Sequence, residues 1–173
     1  CNLVVLACNT ATAIGCRTLQ QNWLPNSGYE GRNILGVVAP MVEAATQTPW
    51  AVTAPQYPQK YNTETIGVFG THRTIASGVY SEEIRKRCPK VLVVEQDCPN
   101  LATAIEEGHS EEDLDAMIGG YVKAMLTRAG DAAPERVILG CTHYPLVEHL
   151  FVHHLPASTR ILSQPTVVAD SLE

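Results

Sequence analysis

Short apolar runs alternate along the whole chain with longer amphipathic stretches, and this order constrains the fold more than any other feature. Runs of strand length lie at 3–7, 34–38, 65–69, 91–94 and 136–139, with helical patterns at roughly 10–22, 40–48, 74–87, 111–129 and 145–154. Strand-helix alternation of this kind predicts a parallel sheet, because parallel neighbours need a crossover and a helix supplies it. The runs are continuous and rich in Val, Ile and Leu rather than alternating with polar residues, as expected when helices cover both faces. The fold class is therefore α/β, with parallel sheets flanked by helices. Residues 47–64, with three prolines and no helical or strand period, are expected to form a long loop or insertion.

Length and charge narrow the function. A chain of 173 residues suits one domain or two small ones, and 12 Lys+Arg against 18 Asp+Glu give a net charge of −6 with no basic block. Nucleic acid and anionic membranes both select clustered positive charge, so neither is an expected partner. No apolar run approaches the ~18 residues that span a bilayer, and the reading is cytoplasmic. Six cysteines could pair, but a chain with this strand and helix patterning does not need staples, and free thiols are expected. The first residue is Cys1 and an apolar run follows at once; the last residues are an apolar pair feeding an acidic-Ser turn. These ends lead us to expect a fragment of a longer protein.

Two strand ends carry the chemistry. Leu3-Val4-Val5-Leu6-Ala7 runs into Cys8-Asn9-Thr10, and Val137-Ile138-Leu139-Gly140 runs into Cys141-Thr142-His143. Ligands of open α/β sheets bind at the carboxyl ends of strands, where the next helix begins. A cysteine there meets unpaired N–H groups and the positive end of the helix dipole, which favour thiolate, so both thiols are expected to titrate below the ordinary ~8.5. The same N–H groups can hold a carboxylate, with Asn9, Thr10 and Thr142 adding side-chain donors. One cysteine on an apolar strand is ordinarily a small core residue; two in matching settings point to function. Cys1, Cys16, Cys88 and Cys98 lack that setting and read as packing residues. His149 and His153 have the i, i+4 spacing of a metal pair but no His-Glu-x-x-His pattern, so they read as a solvated helix face. No metal and no nucleotide motif is expected, since Cys-x-x-Cys pairs and phosphate-binding glycine patterns are absent.

Ala7-Cys8-Asn9-Thr10-Ala11 together with Leu139-Gly140-Cys141-Thr142-His143-Tyr144-Pro145-Leu146 resembles the glutamate racemases of the aspartate/glutamate racemase superfamily. Residues 66–80, with Thr71 and Thr74, and 98–108, with Glu106, resemble further family segments, so the likeness runs over nearly the whole chain apart from 47–64. The resemblance implies two pseudo-symmetric α/β domains with the site between them: 1–33 as part of a first domain carrying Cys8, 34–158 as a second carrying Cys141, and 159–173 returning to the first. It implies cofactor-independent interconversion of L- and D-glutamate, supplying D-glutamate for peptidoglycan, with glutamate as the small-molecule partner and a homodimer as the possible assembly.

By the same carry-over, Cys8 takes the α-proton of D-glutamate while Cys141 donates on the other face, and the roles reverse for L-glutamate. Asn9, Thr10, Thr142 and His143 match substrate-binding positions, and His143 could also exchange a proton with Cys141. Glu106 and Thr74 match supporting positions. Family segments holding an Asp-Ser and a Tyr-Gly pair would precede Cys1. Three other readings stay open: another amino-acid or hydantoin racemase of the superfamily, a Cys–His hydrolase that would not need Cys8, and a non-catalytic amino-acid-binding module.

Overall fold

The computed structural model describes residues 1–29, 31–59 and 64–171. Positions 60–63 of the expected 47–64 loop, Glu30 and the last two residues lie outside it. The elements in order are β1 (Leu3–Leu6), α1 (Asn9–Ala11), β2 (Asn33–Gly36), α2 (Val38–Thr46), β3 (Thr65–Gly70), α3 (His72–Ala76), α4 (Val79–Arg87), β4 (Leu92–Asp97), α5 (Leu101–Glu106), α6 (Glu111–Ala129), β5 (Arg136–Gly140), α7 (Glu148–His154), β6 (Arg160–Leu162) and α8 (Gln164–Asp170). Behind α1 the helical path continues in wider π turns at Thr12–Cys16 and Leu19–Trp23.

Among the described residues every strand pairing is parallel, in a two-stranded sheet β1-β2 and a four-stranded sheet in the order β4-β3-β5-β6. The α/β class with parallel sheets flanked by helices is the observed one. In β3 and β5 the period of two divides the core between two faces. Ile66, Val68 and Ile138 join Met41, Val42, Tyr80 and Ile84 beneath α2 and α4. Phe69, Val137 and Leu139 join Ile118, Met125 and Phe151 beneath α6 and α7. Burial on both faces explains why these strands read as continuous apolar runs.

Strand pairing departs from the expected bounds at two places. β2, expected to open the larger unit at 34, pairs instead with β1, Val4 opposite Ile34. β6, inside the segment expected to return to the first unit, pairs with β5, Val137 opposite Ile161. The β1-β2 pair stays open, with Leu3, Val4, Val5 and Leu35 exposed.

Helices differ as well. The helical stretch expected at 74–87 is two helices, because Gly78 adopts φ +66, a conformation that suits glycine and starts α4 on a new axis. The stretch expected at 145–154 begins as a 3-10 turn, Tyr144–Val147, with Pro145 in its first turn, and becomes α-helical at Glu148. The expected helix at 111–129 is found entire, capped by Ser110, whose hydroxyl accepts from the Asp113 N–H, with three acidic residues in its first turn and Arg128 in its last. No helix among the described residues is long and apolar enough to cross a membrane.

The described part of the 47–64 stretch has no helix or strand and is tied down by side chains. The Trp50 N–H donates to Glu43 at 2.6 Å, the Trp50 carbonyl accepts from Arg87 at 2.6 Å, and the Arg87 guanidinium stacks 4.5 Å from the Trp50 ring.

Candidate active site

In the four-stranded sheet the chain passes from β3 outward to β4 and then returns across β3 to β5. The helices following β3 and β5 therefore pack on opposite faces, and the crevice between the carboxyl ends of these strands is the topological switch point where α/β sheets bind ligands. Thr71 follows β3 there and Cys141 follows β5. Cys8 stands in the same relation to β1, as the extended residue before α1.

The two thiols differ in environment. Cys8 is exposed, whereas Cys141 is only 6% exposed. Burial pushes the Cys141 thiol above its usual range, charge on Cys8 adds to the rise, and the backbone N–H groups of His143 and Tyr144 pull the other way without overcoming it. The expected lowering at Cys141 is thus corrected to a rise: desolvation of the thiolate outweighs the two N–H groups. The His143 Nδ1 lies 3.7 Å from the Cys141 Sγ, within reach for proton exchange.

Asn9 is 2% exposed, and its amide is held from two directions. Its oxygen accepts from the Tyr80 hydroxyl at 2.6 Å and from the Gln164 amide at 3.1 Å, while its own nitrogen donates to the Gln164 oxygen at 2.9 Å. Asn9 thereby locks the strand end carrying Cys8 to α4 and α8. The Thr10 hydroxyl lies 2.9 Å from that of Thr71 and 3.0 Å from that of Thr74, and the latter two are 3.0 Å apart, forming a closed triangle of hydroxyls. Thr71 also caps α3 by accepting from the Thr74 N–H. Beside this triangle lies a recess of about 390 Å³, walled in part by Thr10, Thr71, Cys98 and Asn100. A second, of about 330 Å³, lies between Ala7, Val37, Thr142 and Gln164.

Thr10 and Thr74 thus meet through their hydroxyls, Cys141 and His143 through sulfur and imidazole, and Cys8 and Asn9 adjoin Thr10 along the chain. Thr142 is exposed at the rim of the second recess, and Glu106 is exposed at the end of α5 with no hydrogen bond to any of the others among the described residues. Tyr80 and Gln164 were not singled out in the sequence; Gln164 meets Asn9 across 155 positions, a separation that carries no local signal. All six cysteines are free. Cys16, Cys88 and Cys98 are packed inside, but Cys1, read as a packing residue, is exposed, its thiol donating to the Leu3 carbonyl at 2.7 Å. It precedes β1, whose Leu3, Val4 and Val5 are exposed as well.

The family model described as Asp/Glu/Hydantoin racemase matches residues 1–167. The chain belongs to that family. Within the racemase family, it is 48% identical over 176 residues to a glutamate racemase of Phenylobacterium zucineum, covering 99% of this chain and 62% of the relative. It is 47% identical to a glutamate racemase of a Caulobacter species, with the same coverage. The chain therefore spans about three fifths of these racemases' length. Among solved structures, a glutamate racemase of Francisella tularensis in complex with D-glutamate superposes with TM-score 0.76 at 23% identity, covering 99% of this chain and 55% of that one. A Bacillus anthracis glutamate racemase gives TM-score 0.72 at 28% identity, covering 99% and 57%.

Proposed function

We propose that the protein interconverts L- and D-glutamate without a cofactor, by proton transfer between two thiols on opposite faces of the substrate. The observation that carries this reading is the pair of cysteines, each at the carboxyl end of a parallel strand, one in each sheet. Inverting a carbon centre requires a base on one face and an acid on the other. Cys8 as thiolate takes the α-proton of D-glutamate, and Cys141 as thiol delivers a proton to the opposite face. L-glutamate leaves Cys8 protonated and Cys141 ionised, the state needed for the reverse reaction.

The raised Cys141 pKa supports this division, since a buried thiol rests protonated and serves as the donor. His143, 3.7 Å from its sulfur, can carry the proton to or from it. The hydroxyls of Thr10, Thr71 and Thr74 can turn outward to donate to a substrate carboxylate. Asn9 serves the substrate-binding set by fixing the Cys8 strand end through its buried amide, Thr142 adds a donor at the rim, and Glu106 is placed in support. Identity near one half to glutamate racemases favours glutamate over aspartate or a hydantoin. The role that follows is supply of D-glutamate to peptidoglycan synthesis in the cytoplasm.

Chiral chromatography of the protein incubated separately with D-glutamate, D-aspartate and a 5-substituted hydantoin tests the substrate. Inversion of glutamate alone is expected. Preferential inversion of either of the others reassigns the substrate within the family, and no inversion of any contradicts the proposal.

A further inference from the structure

Away from the cleft, the seam between α6 and α7 gathers two imidazoles onto one carboxylate oxygen. Asp115 Oδ1 lies 3.1 Å from His153 Nδ1 and 2.9 Å from His154 Nε2. One ligand atom from each of the three residues falls within 4.8 Å of the other two. The His154 side chain is 26% exposed and that of His153 69%, so one ring is seated against the protein and the other faces solvent. The seat is built by Gly119, one helical turn beyond Asp115, where a Cβ would come within 2.8 Å of the His154 ring. The next rung of the seam repeats the chemistry with one imidazole fewer, His149 Nε2 lying 3.2 Å from Glu111 Oε1.

We propose that Asp115, His153 and His154 form a binding site for a divalent transition-metal ion that staples α6 to α7. Metal–nitrogen and metal–oxygen bonds of about 2.0–2.2 Å place neighbouring ligands of a tetrahedral ion roughly 3.3–3.6 Å apart, so the two spacings at Asp115 Oδ1 need to open by roughly 0.2–0.7 Å, with the two imidazole nitrogens already within 4.8 Å of each other. Two imidazoles with one carboxylate select zinc, cobalt, nickel or copper over magnesium or calcium. Three protein ligands leave a fourth position for water, and the exposed His153 gives the ion a direct path from solvent. α7 follows directly on the Cys141–Val147 segment, so the staple would brace the side of the cleft carrying the second thiol.

Cobalt(II) titration of the whole chain, followed by visible absorption and by thermal melting, tests the site. Cobalt also reports its ligands, because a thiolate ligand adds an intense charge-transfer band that nitrogen and oxygen ligands lack. The expected result is a d–d spectrum without that band, a rise in melting temperature on binding, and a loss of affinity of about tenfold or more in Asp115→Asn and His154→Gln. His153→Gln, at the exposed position, is expected to lose affinity while melting like the parent without metal. Absence of a cobalt spectrum, a dominant thiolate band, or affinity unchanged in all three variants would overturn the site and leave the trio a hydrogen-bonded helix seam.

Discussion

Cys141 sits where two physical effects oppose each other, and the winner sets a pH dependence. Burial outweighs the N–H groups of His143 and Tyr144, so the thiol form persists to higher pH than in an ordinary cysteine. Under the two-thiol mechanism L-glutamate needs Cys141 ionised and D-glutamate needs it protonated. The acid limb of kcat/KM for L-glutamate, which reports the free enzyme, is therefore expected above the ordinary thiol value of ~8.5. Activity toward L-glutamate should rise through that limb, while activity toward D-glutamate should fall through it. A pH–rate profile in both directions checks this, and an L-glutamate limb at or below the ordinary value would show that burial does not control the thiol. Asn9 gives a stability prediction at the same scale. Asn9→Ala leaves the buried Tyr80 hydroxyl and Gln164 amide without their shared partner, and a loss of about 1–3 kcal/mol in urea unfolding is expected. The two cysteines were legible in the sequence because each ends an apolar run and precedes helix-capping residues. Tyr80 and Gln164 were not, because only the tertiary fold brings α4 and α8 to Asn9. The direction of the Cys141 shift was also hidden, since it depends on how deeply the strand end is buried.

Among the elements, β5 is the one whose carboxyl end must hold its shape. Gly140, immediately before Cys141, faces the Phe69 carbonyl, and a Cβ there would lie 2.9 Å from that oxygen and 3.2 Å from the Tyr80 ring. Backbone cannot swing aside as a side chain can, so Gly140→Ala is expected to cost about 1–3 kcal/mol of stability and to lower activity by shifting Cys141. Unfolding and turnover measured on the same variant check both. β3 and β5 were readable as strands because both faces are buried and their apolar runs are unbroken. β6 has only the three residues Arg160–Leu162, too few for a period, and α5 and α8 have six and seven. The break between α3 and α4 rests on Gly78, whose φ +66 is a property of the folded backbone.

At the scale of the whole molecule, the segment carrying Cys8 is joined to the larger sheet by polar contacts as well as by the Asn9 amide. Arg17, on the helical path after α1, meets Glu83 of α4 at 3.1 Å, and the other Glu83 oxygen holds Arg87 at 2.9 Å. Burial pushes the Glu83 carboxyl up, but hydrogen bonds from Lys86 and Arg87 outweigh it and leave the group below its usual range. A lowered folded-state pKa means that this stabilisation is complete above the unfolded value of ~4.3 and is lost as pH falls through the folded one. Glu83→Ala strands the 1%-exposed Arg87 without its counter-charge and is expected to cost about 3–5 kcal/mol at neutral pH, the difference from the parent shrinking in acid. Denaturation at a series of pH values measures both. The sequence order alone indicated parallel sheets but not which strand joins which sheet, since 34–36 and 160–162 pair according to crossovers that no local pattern records. Whether two thiols act from opposite faces is tested by racemisation of D-glutamate in deuterated water at low conversion. L-glutamate is expected to carry solvent deuterium at Cα while recovered D-glutamate keeps its proton, and Cys8→Ser and Cys141→Ser are each expected to slow turnover by about 10²–10⁴-fold. Product that retains the substrate's own proton, or parental rates in either variant, would contradict it.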